Sequence, residues 1–294
     1  MKYLIVTVIV CSLCFTQEVF DGLSLFTPAA PSVSDFDINT LLIDNDNNIM
    51  HSWSHIRGPA QTPYLLPDSS IIYPYVTTLP TMINSGVGGG IQKISWDGTI
   101  LWDYRISDEN YQHHHDIEPL VNGNILVIAW ERKSIEEAVA MGRIPGTIDN
   151  PLDQIWSETI FEIQPLDYNN YEIVWEWHLW DHLVQNIDEN LPNFGIISDH
   201  PELFDINLGI AGNWGNSPFS HADWIHINSI AYNEYLDQII ISSATQDEFF
   251  IIDHSTTTEE ASGHTGGNSG LGGDFLYRWG NPQNYGRGDA SNKI

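Results

Sequence analysis

Short apolar runs separated by Asp, Asn and Gly set the pattern of this chain, and the runs come in pairs. One pair type is an apolar run, a polar turn, a second apolar run and a tryptophan. It occurs over Leu41–Trp53, Ile91–Tyr104 and Phe161–Trp177, and in a stretched form over Phe250–Trp279. A second pair type alternates with it, over Tyr64–Tyr75, Ile117–Trp130 and Ile227–Ser243. Apolar runs of this length, punctuated in this way, predict β-hairpins. Asp97-Gly98 and Asn122-Gly123 are turn pairs, because glycine adopts positive φ without steric cost. Two alternating hairpins make a four-stranded unit, and Trp53, Trp102, Trp175 and Trp279 mark the ends of four such units. The later tryptophan spacings are too wide for one unit and require insertions. Lys133–Ile155, which begins with a helical pattern, and the polar stretch His182–Ala222 supply them. Repetition of four-stranded sheets predicts an all-β fold of the β-propeller type, with about four blades covered.

The first residues read differently. Lys2 precedes the apolar run Tyr3–Phe15, which is short for a membrane span and fits a secretory signal peptide over residues 1–17. Residues 18–40 then form an N-terminal extension and 41–294 the partial propeller domain. Both cysteines, Cys11 and Cys14, fall in the signal segment, so the mature chain is expected to hold no disulfide and no thiolate nucleophile. An exported protein, periplasmic or extracellular, is expected. Thirty-nine acidic residues against ten basic ones give a net charge of −29. That balance excludes a nucleic-acid partner, because no basic stripe is available to neutralise phosphates. An anionic substrate would need a local cationic pocket.

Histidine carries the candidate chemistry. His113, His114 and His115 stand together before Asp116, just ahead of one inner hairpin. His221 and His226 precede the equivalent hairpin further on, in His221-Ala222-Asp223-Trp224-Ile225-His226-Ile227-Asn228. Matching positions in different units would converge near the centre of the fold. In a regular strand Trp224, His226 and Asn228 share a face, whereas successive imidazoles alternate, so at most two of His113–His115 can hold one ion. Asp116 is placed to orient an imidazole or to bind metal. His178 and His182 read as satisfied polar residues of a β fold. Gly86–Gly90 reads as a flexible turn, since no helix follows to make a dinucleotide site. Asp44–Asn48 reads as a hairpin turn, and Gly263–Gly273 as a long loop.

His114-His115-Asp116 followed by IEPLVNGNILV, VWEWHLWDHL, DWIHINSI with QIIISS, and IIDHSTTT with LYRWGNPQ together resemble the bacterial arylsulfotransferases. The resemblance implies a six-bladed propeller with a central active site. It implies transfer of a sulfuryl group from a phenolic sulfate ester to a phenol through a transient sulfohistidine. No cofactor or nucleotide donor is implied, and no metal is assigned. By resemblance His226, with His115 or His114, is a catalytic imidazole, and Asn228, Trp224 and Arg278 are expected to bind substrate. Two departures stand out. The family has Arg directly after Ser-Ser, where this chain has Ala244, so Arg57, Arg278 or Arg287 would have to compensate. The family's nucleophilic histidine lies beyond Gly280-Asn281-Pro282, so the chain is expected to be C-terminally incomplete. A ligand-binding propeller without turnover, and a metal-dependent hydrolase built on His113–His115 with His226, are the alternative readings.

Overall fold

The computed structural model describes residues 20–28, 38–212 and 218–293. The expected signal segment, residues 1–17, lies outside the described residues. The hairpins form where the apolar pattern places them and associate into antiparallel sheets in chain order. The first has three strands, β1 (Ser24–Phe26), β2 (Ile38–Ile43) and β3 (Ile49–His55). Residues 24–26 therefore pair with β2 inside the first sheet. The second sheet holds β4 (Tyr64–Leu65), β5 (Ile71–Val76), β6 (Gly89–Ile94) and β7 (Ile100–Arg105). The third holds β8 (Tyr111–Pro119), β9 (Ile125–Ser134), β10 (Gln154–Pro165) and β11 (Tyr171–His178). The fourth holds β14 (Ile227–Asn233), β15 (Gln238–Ser243), β16 (Glu248–Asp253) and β17 (Phe275–Trp279). Gly98 and Gly123 have φ of 86° and 90°, the left-handed backbone that their turns require.

The insertions lie where the wide tryptophan spacings put them. Between β9 and β10 runs a short helix α1 (Ile135–Ala140), closed at its start by a Ser134/Glu137 capping box. After β11 comes a long excursion that includes a parallel pair, β12 (Leu183–Val184) with β13 (Phe204–Asp205). A four-residue helix α2 (Thr258–Ala261) precedes the glycine-rich turns that lead into β17. No helix among the described residues is long and apolar enough to cross a membrane.

The strands β5 and β9 share their residues between two cores, with successive side chains on opposite faces. In β5, Ile71, Tyr73 and Tyr75 pack with Leu42 and Trp53 of the first sheet, while Ile72 faces the third. In β9, Ile125, Val127 and Ala129 pack back towards Ile91 and Trp102, while Leu126 and Ile128 pack forward with Ile227, Ile239 and Phe250. The recurrent tryptophans link the stack. Trp53 donates its indole N–H to the Ser95 carbonyl, in the turn of the second sheet, at 3.0 Å. Trp102 does the same to Asn170 of the third sheet at 3.0 Å, and Trp175 to the Thr256 hydroxyl of the fourth at 3.1 Å. One aromatic per unit thus fills the inter-sheet core and satisfies its N–H on the next unit's turn. Trp279 holds the equivalent place in the fourth sheet and is 43% exposed.

Candidate functional site

The strands that open the third and fourth sheets, β8 and β14, pack against each other. Both are irregular at their contact. In β8, His113 pairs with Ala129 and Ile117 with Val127, so the three residues His114–Asp116 oppose the single residue Ile128. In β14, Ile227 pairs with Ser243 and Ser229 with Ser242, which leaves Asn228 as an extra residue. His115 and His226, at these bulges, have φ of 50° and 53°, a left-handed backbone uncommon for non-glycine residues. Such strain concentrates at functional sites.

The bulges overturn the alternation expected from a regular strand. His114 and His115 do not point to opposite faces: their Nδ1 atoms lie 3.0 Å apart. The ring of His115 meets that of His226 edge to face, with centroids 4.5 Å apart. His113 turns elsewhere, and its Nδ1 accepts the Gly89 N–H at 2.9 Å. Asp116 orients no imidazole. It accepts from the Tyr64 hydroxyl at 3.0 Å and from the Ile230 N–H at 3.3 Å, and so ties the second, third and fourth sheets together.

Two acids complete the cluster. Glu158, in the middle of β10, is fully buried and lies 2.9 Å from His114 Nε2 through Oε2. Its Oε1 accepts the Ile227 N–H at 2.9 Å. Asp223 Oδ2 lies 2.6 Å from His226 Nδ1 and accepts from the Asn84 amide at 2.9 Å. Asp223 reaches this place because its segment runs beside the start of β10: Trp156 N–H bonds the Ala222 carbonyl at 2.8 Å. Trp130 stacks on His114 with centroids 4.3 Å apart. The cluster is thus a bonded line, Glu158–His114–His115, whose last ring abuts the Asp223-bound His226.

Gly86–Gly90 is more than a flexible turn. The His115 N–H bonds the Gly86 carbonyl at 2.6 Å, and a Cβ on Gly86 would lie 2.1 Å from the His115 ring. Gly86 also has φ of 77°. Only glycine fits that backbone while the imidazole lies over it.

Burial sets the charges. It pushes His113 and His114 down to about 3 and His115 to about 2, with neighbouring imidazoles adding to the effect on His115. Burial also pushes Glu158 well up, and Asp223 beside it acts in the same direction. Burial opposes the charge on His226, but the hydrogen bond and charge of Asp223 outweigh it and raise that pKa. Glu158, His114 and His115 therefore form a neutral chain beside a His226 that readily carries a proton.

This arrangement fixes an acid dependence. His113–His115 stay neutral in the fold but titrate near 6.5 once unfolded, so each takes up a proton on unfolding in acid. Glu158 works the other way: neutral in the fold and ionised when unfolded above its ordinary pKa, it releases one. Three protons taken up against one released lower the stability by about 3 kcal/mol per pH unit from these four groups, as pH falls between roughly 6.5 and 4.5. Chemical denaturation at several pH values checks this; a flat profile in that window would show that these imidazoles are charged in the fold.

Among the residues expected to bind substrate, only Asn228 lies beside the cluster, and its Oδ1 accepts from the Ser242 hydroxyl at 2.6 Å. Trp224 is core: its indole donates to the Leu208 carbonyl at 2.6 Å and it packs edge to face on Phe204. Arg278 is held on β17 by Glu248 at 2.7 Å and the Leu203 carbonyl at 3.0 Å, among Phe204, Phe250, Phe275 and Tyr285. The other two arginines proposed to compensate for Ala244 are also engaged elsewhere. Arg57 lies over Tyr75 and Arg287 donates to the Ser198 carbonyl at 2.7 Å. Ala244 itself is exposed and donates its N–H to the His226 carbonyl at 3.1 Å, so the position where the resemblance expects Arg flanks His226. His178 and His182 have partners, as expected: Glu131 for the first, Asp274 and the Ala261 carbonyl for the second.

Glu158 and Asn84 were not singled out from the sequence. The available signal was an acid inside the strand-forming stretch Ile155–Ile163, where an unpaired buried carboxylate would be costly.

No curated protein matches the chain. Among solved structures, a protein of unknown function from Bacteroides caccae is 12% identical with a TM-score of 0.36, over 89% of this chain and 74% of that one. Kuenenia stuttgartiensis hydrazine synthase is 14% identical with a TM-score of 0.40, over 83% of this chain and 56% of that one. The sequence model of the Arylsulfotransferase (ASST) family matches residues 81–260, a span that holds Asn84, His113–Asp116, Glu158, Asp223 and His226 and covers more than half of the chain. On that match, the chain belongs to the arylsulfotransferase family.

Proposed function

We propose that the protein is an exported enzyme that moves a sulfuryl group from a phenolic sulfate ester to a phenol through a histidine intermediate. Residues 1–17 serve as its signal peptide, and the sheets are blades of a β-propeller around the histidine cluster. The observation that supports this reading best is the joined set Glu158–His114–His115 and His226–Asp223, where two sheets meet inside the family-matched span.

The chemistry follows from the charges. A histidine nitrogen forms a bond to sulfur as the sulfur–oxygen bond of the aryl ester breaks. His226, held through Nδ1 by Asp223, gives the departing phenolate its proton from Nε2. Then the acceptor phenol returns a proton to that nitrogen as its oxygen takes the sulfuryl group. Glu158, neutral by burial, donates from Oε2 to His114 Nε2, and His114 Nδ1–H donates to His115 Nδ1. That leaves the His115 proton on Nε2, where it serves as a hydrogen-bond donor to the sulfonyl oxygens.

The test is turnover of p-nitrophenyl sulfate with phenol by protein expressed from its full reading frame. Phenol-dependent release of p-nitrophenol is expected, with an equal amount of phenyl sulfate formed. His226→Ala is expected to lower kcat/KM by at least ~100-fold. Saturable binding of p-nitrophenyl sulfate with no release would instead support a ligand-binding role, which the alanine at position 244 favours.

A further inference from the structure

A second histidine cluster lies outside the site above. His182 begins the excursion after β11, and His264 and Asp274 flank the glycine-rich turns before β17. One ligand atom from each of the three lies within 4.8 Å of the others. We propose that His182, His264 and Asp274 bind a divalent cation of the zinc class, which pins the excursion after β11 to the segment before β17.

His182 Nε2 lies 2.9 Å from the Ala261 carbonyl, and a carbonyl only accepts, so that nitrogen holds a proton. In a neutral ring, Nδ1 is then a lone pair. It faces Asp274 Oδ1 at 2.7 Å, an acceptor against an acceptor. His264 Nδ1 approaches the same carboxylate oxygen at 2.8 Å. A cation at the shared position would give both nitrogens and the carboxylate oxygen a common partner. A backbone carbonyl on the far nitrogen is the support that metal-binding imidazoles receive, because it fixes tautomer and ring orientation.

The ring is locked as a ligand requires. Trp177 stacks on His182 at 4°, with centroids 5.5 Å apart, and its indole donates to the Gly273 carbonyl at 2.7 Å. Any side chain at Gly273 would collide, since a Cβ there would stand 2.7 Å from His182 Nε2. His182 and Asp274 are buried, whereas the His264 side chain is 59% exposed and leaves an entry path. A surface cavity of about 320 Å³, lined in part by His264, His200 and Asp181, adjoins it and has room for a water ligand. Two imidazole nitrogens and one carboxylate oxygen suit zinc and its neighbours, and disfavour calcium or magnesium, which take oxygen.

The test needs no knowledge of the reaction. Protein freed of metal with a chelator is titrated with zinc chloride, and separately with cobalt chloride for its visible absorption. About one ion per chain is expected, with a rise in Tm. His264→Ala removes an exposed ligand, so folding is expected to survive, and zinc affinity is expected to fall at least ~10-fold. Asp274→Asn is expected to do the same, with cobalt absorption lost. No zinc bound, or zinc bound with unchanged affinity in the His264→Ala protein, would overturn the assignment; the second result would place the ion elsewhere, such as among His113–His115.

Discussion

Glu158→Gln is expected to leave turnover within a few-fold of the native protein, whereas Glu158→Leu is expected to lower it by at least ~100-fold. The reason is the direction of the hydrogen bonds. A neutral Glu158 donates from Oε2 to His114 and accepts the Ile227 N–H on Oε1. The glutamine amide reproduces both, with NH₂ on the histidine side and C=O on the backbone side. Leucine reproduces neither. It strands His114 Nε2 and the Ile227 N–H in a buried place, at about 1–3 kcal/mol for each group. A loss of activity in the leucine protein could reflect packing alone, so the deciding readout is the tautomer. Nitrogen NMR of the ring atoms is expected to find the His114 proton on Nδ1 and the His115 proton on Nε2, in both the native and Glu158→Gln proteins. A His114 proton on Nε2 in the native protein, moving to Nδ1 in the glutamine variant, would mean that Glu158 is ionised, and the relay would run the other way.

Asp223→Asn is expected to cut kcat by about 10²–10⁴-fold while changing KM little. Asp223 Oδ2 lies 2.6 Å from His226 Nδ1 and also receives the Asn84 amide. The carboxylate keeps the proton on Nδ1 and raises the pKa of the ring, so that Nε2 can give a proton to a leaving oxygen. An asparagine offers no negative charge and places an amide N–H or a neutral carbonyl against Nδ1. The alkaline limb of the pH–rate profile is expected to shift to lower pH, because His226 must hold its proton to donate it and its raised pKa returns towards or below its ordinary value. An unchanged pH profile in a folded Asp223→Asn protein would remove His226 from the proton transfer. A purely structural role for Asp223 predicts lower stability with the profile intact.

Much of the scaffold is local, and local features are legible. The hairpins at Ile91–Tyr104 and Ile117–Trp130 form because β-type runs flank Asp-Gly and Asn-Gly, although the turns are not the two-residue kind expected: five residues, 95–99 and 120–124, connect the strands, and only the glycine is left-handed. The recurrent tryptophan was visible as a pattern, and the structure supplies its reason: Trp53, Trp102 and Trp175 each close one core and donate to the next sheet's turn. The insertions followed from spacing alone. Alternation breaks down at His114, His115 and Asn228, where the strands bulge and a period of two no longer assigns a face.

The site divides along the same line. His114, His115 and His226 stood out because histidines recur before equivalent hairpins. Trp224 and Arg278 look like ligands in a linear motif, but the excursion after β11 folds back over them and turns them into core and buried ion pair. The sequence by itself determined the repeated hairpins, the alternating cores and the histidine-bearing segments, because turn chemistry and period-two burial act between near neighbours. The tertiary structure alone decided that Gly86 makes room for His115, that Glu158 joins His114 and that Asp223 holds His226. Gly86 meets His115 across sheets, Glu158 meets His114 across β9 within one sheet, and Asp223 is fixed by Asn84 from a distant part of the chain; the strained backbone at His115 and His226 persists only because the packing around it holds it there.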